Sequence, residues 1–141
     1  MTKTSGIYIT NNGLSDHIGV AQVLPYLQGL ARNGHSISVI SVEDPANWAV
    51  TRPASLSVDT DPSCTGELRF YPIFRRTGPV RRLQRFFVPM QMRRRVEKIM
   101  KMRAVDLIHC RSYMPLGPSL SAAKNHGAAL ICDVRGYWID Q

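Results

Sequence analysis

Residues 10–41 read TNNGLSDHIGVAQVLPYLQGLARNGHSISVIS and contain, in order, a polar loop, a helical pattern and a strand-like run. Ser15 or Asp16 is suited to cap the start of the helix, and Gly34 is suited to end it. Pro25 lies inside this segment, so the helix either kinks there or begins its regular turns near Leu24. Apolar residues recur at the spacing of one helical face, at Val20, Val23, Leu24, Leu27 and Ala31.

Short runs rich in β-branched residues surround this helix and recur along the chain. They predict five strands, at residues 6–10, 36–41, 67–73, 105–111 and 128–134. A short helix ending at Gly127 separates the last two. Strands that alternate with helices and are nearly continuously apolar favour a parallel sheet covered on both faces. We therefore predict an α/β protein with a doubly wound, Rossmann-like parallel sheet in the order 3-2-1-4-5.

Two segments give weaker signals. Residues 43–65 are polar and contain Pro, Asp and Ser, which predicts a loop or an irregular excursion. The segment before the fourth strand predicts two helical pieces that join near Pro89. The first piece carries Leu83, Phe87 and Met90, and the second carries Met92, Val96, Ile99 and Met100.

Length and composition favour one globular domain. A chain of 141 residues can build one core, and no apolar run approaches the roughly 18 residues of a membrane span. The N-terminus lacks the pattern of a secretory leader, so we expect a cytoplasmic protein. Cys64, Cys110 and Cys132 form no CxxC pair, which supports neither a disulfide framework nor a zinc site. We expect no metal and no cofactor, and we expect Cys110 and Cys132 to be buried apolar side chains.

The net charge of +8 is concentrated in one place. Residues 75–103, here called the basic segment, hold eleven of the eighteen Lys and Arg residues and one of the ten acids, a net charge of +10. The rest of the chain carries −2. The basic segment fits a solvated helical face, or an anionic membrane surface because Phe86, Phe87, Met90 and Met92 lie among the charges. No recognised nucleic-acid module accompanies the charge, so we expect no nucleic acid, although a basic module that binds nucleic acid or membrane remains the alternative function.

Ligands of open α/β sheets bind outside the carboxyl ends of the strands, near the switch point. Three loops leave that edge, after the first, fourth and fifth predicted strands. His17 lies in the first loop, and His109 ends the fourth strand, where a hydrogen-bonded core role is favoured over contact with a ligand. The three loops carry polar groups at Asn11, Asn12, Ser15, Asp16, His17, Arg111, Ser112, Tyr113, Arg135, Tyr137 and Trp138.

The glycines of the first loop do not fit either common phosphate fingerprint. Gly13 and Gly19 are six residues apart, whereas a dinucleotide site needs G-x-G-x-x-G and a P-loop needs GK followed by Ser or Thr. A nicotinamide-dependent oxidoreductase, with Glu43 or Asp44 on the ribose, is therefore disfavoured. Two interpretations stay open: a general anion site at the helix N-terminus, or glycines that serve only a turn and close packing.

Three stretches resemble one known family. Residues 11–41, with VDLIHCRSYMP at 105–115 and ICDVRGYWID at 131–140, are similar to GT-B glycosyltransferases of the family 4 type. Those enzymes begin with a strand, the pattern GLSxxxGxxQVLPYLxGLAxxGHxV and a second strand. The resemblance covers nearly the whole chain and is weakest over residues 43–102. It implies the N-terminal, acceptor-binding half of a retaining, nucleotide-sugar-dependent glycosyltransferase.

The resemblance also implies roles for particular residues. The loop from Gly13 to Gly19, with Ser15 and Asp16, would approach the diphosphate of the nucleotide-sugar. The ends of the fourth and fifth strands would face the acceptor and the sugar, through Arg111, Ser112, Arg135 and Tyr137. Arg111 and Arg135 would be catalytic, because their charge would offset the negative charge on the leaving diphosphate. The family often has a histidine after the fifth strand, where this chain has Arg135, Gly136 and Tyr137.

The donor half of such enzymes carries two glutamates separated by seven residues. Glu43, Glu67 and Glu97 do not have that spacing. Residues 1–141 are therefore expected to form a single, truncated N-terminal domain without the donor-binding domain, and to be inactive alone. The expected partners are a nucleotide-sugar bound through that missing domain and a glycan or lipid-linked acceptor. Such acceptors would suit a peripheral position at the inner face of the membrane, with the basic segment at its surface.

Overall fold

The protein is a five-stranded parallel sheet with helices on both faces. The computed structural model describes residues 2–55 and 66–135, and the side chains of 52–55 are left out of the description. The strand order β3-β2-β1-β4-β5 and the doubly wound topology confirm the prediction. The strands are β1 (Ser5–Thr10), β2 (Ser36–Glu43), β3 (Glu67–Phe74), β4 (Leu107–Arg111) and β5 (Ala129–Asp133).

In residues 2–55 and 66–135, four α-helices, one π-helical turn and one 3-10 turn connect the strands. A π-helical turn (Gly19–Val23) leads into α1, and a 3-10 turn (Pro79–Leu83) leads into α3. Gly127 ends the helix before β5 with a φ of 69°, in the left-handed region that favours glycine, as predicted. The helices are α1 (Leu24–Arg32), α2 (Pro45–Ser55), α3 (Gln84–Met102) and α4 (Leu116–His126).

Successive side chains along the strands point to opposite faces of the sheet and contribute to two hydrophobic cores. Ile7 and Ile9 of β1 point to the core beneath α3 and α4, whereas Tyr8 between them points to the core beneath α1. All three are almost completely buried. Cys110 is buried in the first core, but Cys132 on the edge strand is only half-buried, which corrects the expectation for that residue. The central strands are thus covered on both faces, as a parallel sheet requires.

The first crossover follows its sequence signals closely. Asp16 acts as the cap, since its Oδ1 accepts a 2.7 Å hydrogen bond from the N–H of Gly19. The π-helical turn then widens the backbone, and α1 begins at Leu24 with Pro25 in its first turn. Gly34, with a φ of 89°, ends the helix. Of the five predicted core positions, only Val20 is wrong, since its side chain is 39% exposed.

Residues 45–55 were predicted as part of a loop but form α2. Asp44 caps this helix: its Oδ1 accepts hydrogen bonds from the N–H groups of Ala46 (2.9 Å) and Asn47 (3.2 Å). Pro45 follows directly, at the first helical position, where proline is favoured. The Asp and Pro that favour a loop in the sequence are therefore the cap and the first residue of a helix. The remainder of the predicted excursion, residues 56–65 with Cys64, lies outside the described residues.

The prediction of two helical pieces joined at Pro89 is wrong. Helix α3 runs without interruption through Pro89, and the change of geometry lies at Leu83, where the 3-10 turn ends. Proline inside a helix costs about 3 kcal/mol. Val88 and Met92, on either side of Pro89, are buried in the same core, and their burial offsets that cost.

The face of α3 that packs on the sheet also differs from the prediction in its first half. The predicted apolar positions Leu83, Phe87 and Met90 are exposed, while Val88 is buried. The second predicted set, Met92, Val96, Ile99 and Met100, is buried as expected. In the described ranges, no helix combines the length and apolar character needed to cross a bilayer.

Candidate functional site

The parallel strands bring three predicted site residues, Arg111, Ser112 and Arg135, to one edge of the sheet. This edge is marked by Thr10, Arg111 and Asp133, which are register partners at the carboxyl ends of β1, β4 and β5. The N–H of Ser112 donates a 2.9 Å hydrogen bond to the carbonyl of Asp133, which ties the loop after β4 to β5. Arg111, Ser112 and Arg135 therefore lie at the same edge, on the side where open α/β sheets bind ligands.

The loop after β1 is held by a buried carboxylate from β2. Glu43 is fully buried, and its Oε1 accepts a 2.8 Å hydrogen bond from the N–H of Leu14. Its Oε2 accepts hydrogen bonds from the hydroxyl (2.6 Å) and the N–H (3.3 Å) of Ser15. A Cβ on Gly13 would lie 2.8 Å from the same Oε2. The conformation of the loop is therefore fixed from inside the protein.

Gly19 has an equally specific packing role. A Cβ at this position would lie 2.3 Å from the carbonyl oxygen of Gly13 and 2.5 Å from the Cα of Leu14. The start of the helix thus presses against the loop backbone, which only glycine allows. The N–H of Gly19 is bonded to Asp16, as those of Leu14 and Ser15 are bonded to Glu43. These three donors already have internal acceptors.

The two predicted catalytic arginines lie in different surroundings. Arg111 is only 7% exposed and lies near Tyr8; burial raises the pKa of Tyr8, and the interaction with Arg111 opposes that rise. Arg135 is half-exposed, and its Nε and Nη2 each lie 2.7 Å from Oδ2 of Asp133. Arg111 is a buried cation at the strand end, whereas Arg135 is a surface cation held by its neighbour.

Ser112 has an unusual backbone. Its φ is 72°, the only positive φ of a non-glycine residue within the described ranges. A side chain in this left-handed region costs about 1–2 kcal/mol. Such strain is concentrated at functional sites, where surrounding contacts hold it in place. Ser112 stays a predicted site residue, and its backbone has the kind of strain that such sites contain.

His109 lies among aromatic rings rather than in a hydrogen-bonded core. Its ring centroid is 5.0 Å from that of Tyr8, edge to face, and 6.3 Å from that of Tyr26. Burial lowers the pKa of His109; the charges of Arg135 and Arg111 act in the same direction, and that of Asp133 opposes them. The lowered pKa favours the neutral form of the imidazole. Tyr137, the last predicted binding residue, lies outside the described residues.

Sequence reasoning missed two features of this edge. The sequence suggested a ribose ligand as the only binding role for Glu43, in the disfavoured oxidoreductase, whereas its carboxylate binds the loop after β1. A charged residue that ends an apolar strand was the available signal, because Glu is almost never fully buried without partners. Arg75, Arg81 and Arg85 were predicted only as part of a basic segment that faces solvent, membrane or nucleic acid, yet they line a cavity beside Asn11. Arg75 directly follows β3, so the strand-end rule could have identified it.

Comparison with known proteins gives a fold and a family. Two crystal structures of the C-terminal domain of a hydrogenase from Pyrococcus furiosus match with a TM-score of 0.63 each, at 13% and 12% identity. They cover 94% and 95% of this chain, and 94% of their own chains is covered. At that identity they show the fold alone.

No curated protein matches the sequence. A family model described as Glycosyltransferase Family 4 matches residues 20–139. This match spans most of the chain, from the start of the first crossover to beyond β5, and it implies a sugar donor and an acceptor as the general substrates. The protein therefore belongs to glycosyltransferase family 4, and its activity is of the glycosyltransferase class.

Proposed function

We propose that the protein forms the acceptor-binding half of a retaining glycosyltransferase that transfers a sugar from a nucleotide-sugar to a glycan or a lipid-linked acceptor. The observation that carries this proposal is the edge formed by Thr10, Arg111 and Asp133 in a chain of this family. The loop after β1, fixed by Glu43, forms one wall of the site. A second α/β domain supplies the opposite wall and holds the nucleotide, and without it the domain transfers nothing.

The chemistry of sugar transfer suits the arginines of this edge. The bond between the anomeric carbon and the diphosphate breaks, the acceptor oxygen bonds that carbon, and the hydroxyl proton leaves with the diphosphate. Negative charge grows on the diphosphate as the bond breaks. Arg111 is buried and nearly desolvated, so its charge acts more strongly than that of a solvated arginine. Arg135, anchored by Asp133, adds a second positive charge close by.

A transfer assay on the full-length gene product tests this role. Arg111→Met should lower kcat about 100-fold, the usual effect of removing one stabilising donor. Arg32→Met is the matched control. Arg32 is exposed at the end of α1, so this substitution removes the same charge from another part of the chain. Equal rates for the two variants, or a gene product with no second α/β domain after Gln141, would refute the proposal. The anomeric configuration of the product distinguishes retention from inversion.

We also propose that the basic segment binds the surface of an anionic membrane, which suits a lipid-linked acceptor and a cytoplasmic, peripheral position. The start of α3 exposes Phe86 (63%) and Phe87 (38%). Arg85 lies over the ring of Phe86 at 4.9 Å, and Arg76 lies over that of Phe87 at 5.9 Å. Exposed aromatic rings beside arginines are typical of segments that lie in the headgroup region.

Vesicle sedimentation tests the membrane proposal. The double variant Phe86→Ser, Phe87→Ser should lose most binding to vesicles that contain anionic lipid, and wild-type binding should fall as salt is added. Val50→Ser is the control, since Val50 is 83% exposed and belongs to α2, which is not part of the basic segment. Undiminished binding of the double variant would exclude this surface. Tighter binding to an oligonucleotide than to the vesicles would favour the nucleic-acid alternative.

A further inference from the structure

A second basic site lies at the same sheet edge and does not include Arg111 or Arg135. A cavity of about 250 Å³ opens between the ends of β1, β2 and β3 and the start of α3. It is here called the arginine pocket, because Arg75, Arg81 and Arg85 line it together with Asn11 and Gln84. Met114, in the loop after β4, borders it on the side of the switch point.

The fold builds this pocket from separate segments. The N–H of Arg75 donates a 2.9 Å hydrogen bond to the carbonyl of Glu43, and its Nη2 donates a 3.2 Å bond to the carbonyl of Asn11. The side chain of Gln84 donates to the carbonyl of Arg76, which fixes the turn between β3 and α3. The three arginines are therefore brought together by β3, the 3-10 turn and the first turn of α3.

The charge of the pocket is of one sign. Across residues 2–55 and 66–135, no ion pair involves any of its three arginines, and none of its lining residues is acidic. Three guanidinium groups around one small cavity repel each other unless an anion lies between them. One guanidinium group can bind two phosphate oxygens at once through its parallel N–H donors.

Size and composition also favour a small anion. Sites for drug-sized molecules measure roughly 300–1,000 Å³ and are mostly apolar, so this pocket is small and unusually polar. A larger groove of about 560 Å³ on the outer face of α3 is a weaker candidate, because it includes the carboxylate of Glu97 and lies on a helix surface away from the strand ends.

We propose that the arginine pocket binds a phosphate group of the acceptor. That the phosphate belongs to the acceptor rests on the proposed function, whereas the binding of phosphate by the pocket does not. Phosphate in this pocket would hold the acceptor at the carboxyl edge of the sheet, next to the switch point where Arg111 ends β4. The substrate class implied is therefore a phosphorylated or diphosphate-linked acceptor rather than a neutral glycan.

Thermal unfolding with inorganic phosphate and pyrophosphate, at ionic strength balanced with sodium chloride, tests the site on residues 1–141. Both anions should raise Tm in a saturable way, since a ligand that binds only the folded state stabilises it. Arg81→Met should weaken the apparent affinity about tenfold or more, the value of a charged hydrogen bond. Arg82→Met is the matched control, because Arg82 is its exposed neighbour in the same 3-10 turn and does not line the pocket.

A second readout separates binding from a structural role. Without phosphate and at low salt, Arg81→Met should leave Tm unchanged or raise it, because one repelling charge is removed. A lower Tm for this variant, an absence of any saturable shift in the wild type, or equal phosphate affinity in both variants would each overturn the proposal. Arg85 is less suited to this test, because its guanidinium also lies over Phe86.

Vesicles distinguish the two sources of phosphate. If binding to vesicles that contain phosphatidic acid requires Arg81 and is competed by inorganic phosphate, the group belongs to a lipid headgroup. If free phosphate binds through Arg81 and the binding of vesicles does not depend on Arg81, the acceptor is a water-soluble phosphate ester. A pocket that binds phosphate in a full-length protein that transfers no sugar would refute the proposed function alone. If the full-length protein transfers sugar but Arg81→Met does not change phosphate binding, only the proposal of the arginine pocket is refuted.

Discussion

The Oε2 atom of Glu43, at the end of β2, lies 2.6 Å from the hydroxyl oxygen of Ser15 in the loop after β1. The same carboxylate accepts hydrogen bonds from the backbone of Leu14 and Ser15. Backbone N–H groups in such loops commonly hold a phosphate. Here an internal carboxylate takes that position, so the loop is shaped before any ligand binds.

Replacing Glu43 with Gln should destabilise the protein by about 2–3 kcal/mol, because hydrogen bonds to a buried charged group are strong. The NH2 group of the new amide would also point at a donor of the loop, where the carboxylate oxygen accepts a hydrogen bond. The free energy of unfolding in urea measures this. Glu67→Gln is the control: Glu67 is half-exposed and pairs with Arg69 on the surface, so the change should be within about 1 kcal/mol. Similar losses for both variants would contradict the structural role of Glu43.

The two glycines of the first crossover should respond in opposite directions to alanine. Gly19→Ala places a methyl group 2.3 Å from the backbone oxygen of Gly13 and should cost about 3 kcal/mol or more, since backbone cannot move aside as a side chain can. Gly29→Ala, within α1, meets nothing within 4 Å and should stabilise by about 0.5–1 kcal/mol through helix propensity. Thermal unfolding of both variants tests the pair, and a tolerated Gly19→Ala would contradict the close approach.

The sequence predicts this fold well because its decisive signals are local. Asp16, Gly34 and Gly127 specify where helices begin and end through their own backbones and nearest neighbours. The strand order follows from chain connectivity and the handedness of crossovers. The features that the sequence did not predict depend on contacts between distant parts of the chain. The role of Glu43 depends on a contact with Ser15 across 28 residues, and the continuity of α3 through Pro89 depends on burial against the sheet.

The site could be predicted only in part for the same reason. Connectivity places Arg111 and Ser112 at the carboxyl edge, but it does not reveal that Arg111 is buried or that Ser112 has a positive φ. The arginine pocket was missed because its members come from β3, the 3-10 turn and α3, which the sequence shows only as one basic run. Charge clustering along a chain does not indicate which charges meet in space.

His109 should make stability depend on pH in a defined direction. Its pKa in the folded state is lowered by burial from the ordinary value of about 6.5. The unfolded chain therefore binds more protons below about pH 6.5, and the free energy of unfolding should fall as the pH drops from there through the folded pKa. Above about pH 7 the contribution of His109 should be fully present and constant.

Urea unfolding of the wild type and of His109→Gln at several pH values between 5 and 8 measures this effect (about the range in which histidine titrates). The variant should show a smaller decrease on acidification, because it has no group to protonate at this position. Asp133, Arg111 and Arg135 remain in both proteins, so their charges do not account for the difference. Parallel pH curves would show that His109 is not the group responsible.

Ser112 should show opposite effects on stability and activity. Ser112→Gly relieves a φ of 72° and should raise the free energy of unfolding by up to about 1 kcal/mol, since the strain of about 1–2 kcal/mol exceeds the extra backbone entropy of glycine. If the strained backbone positions groups for transfer, kcat of the full-length gene product should fall in the same variant. Ser112→Ala keeps the strain and removes only the hydroxyl, so it separates a role of the side chain from a role of the backbone. A glycine variant that is both less stable and fully active would show that the left-handed conformation of Ser112 is neither strained nor used.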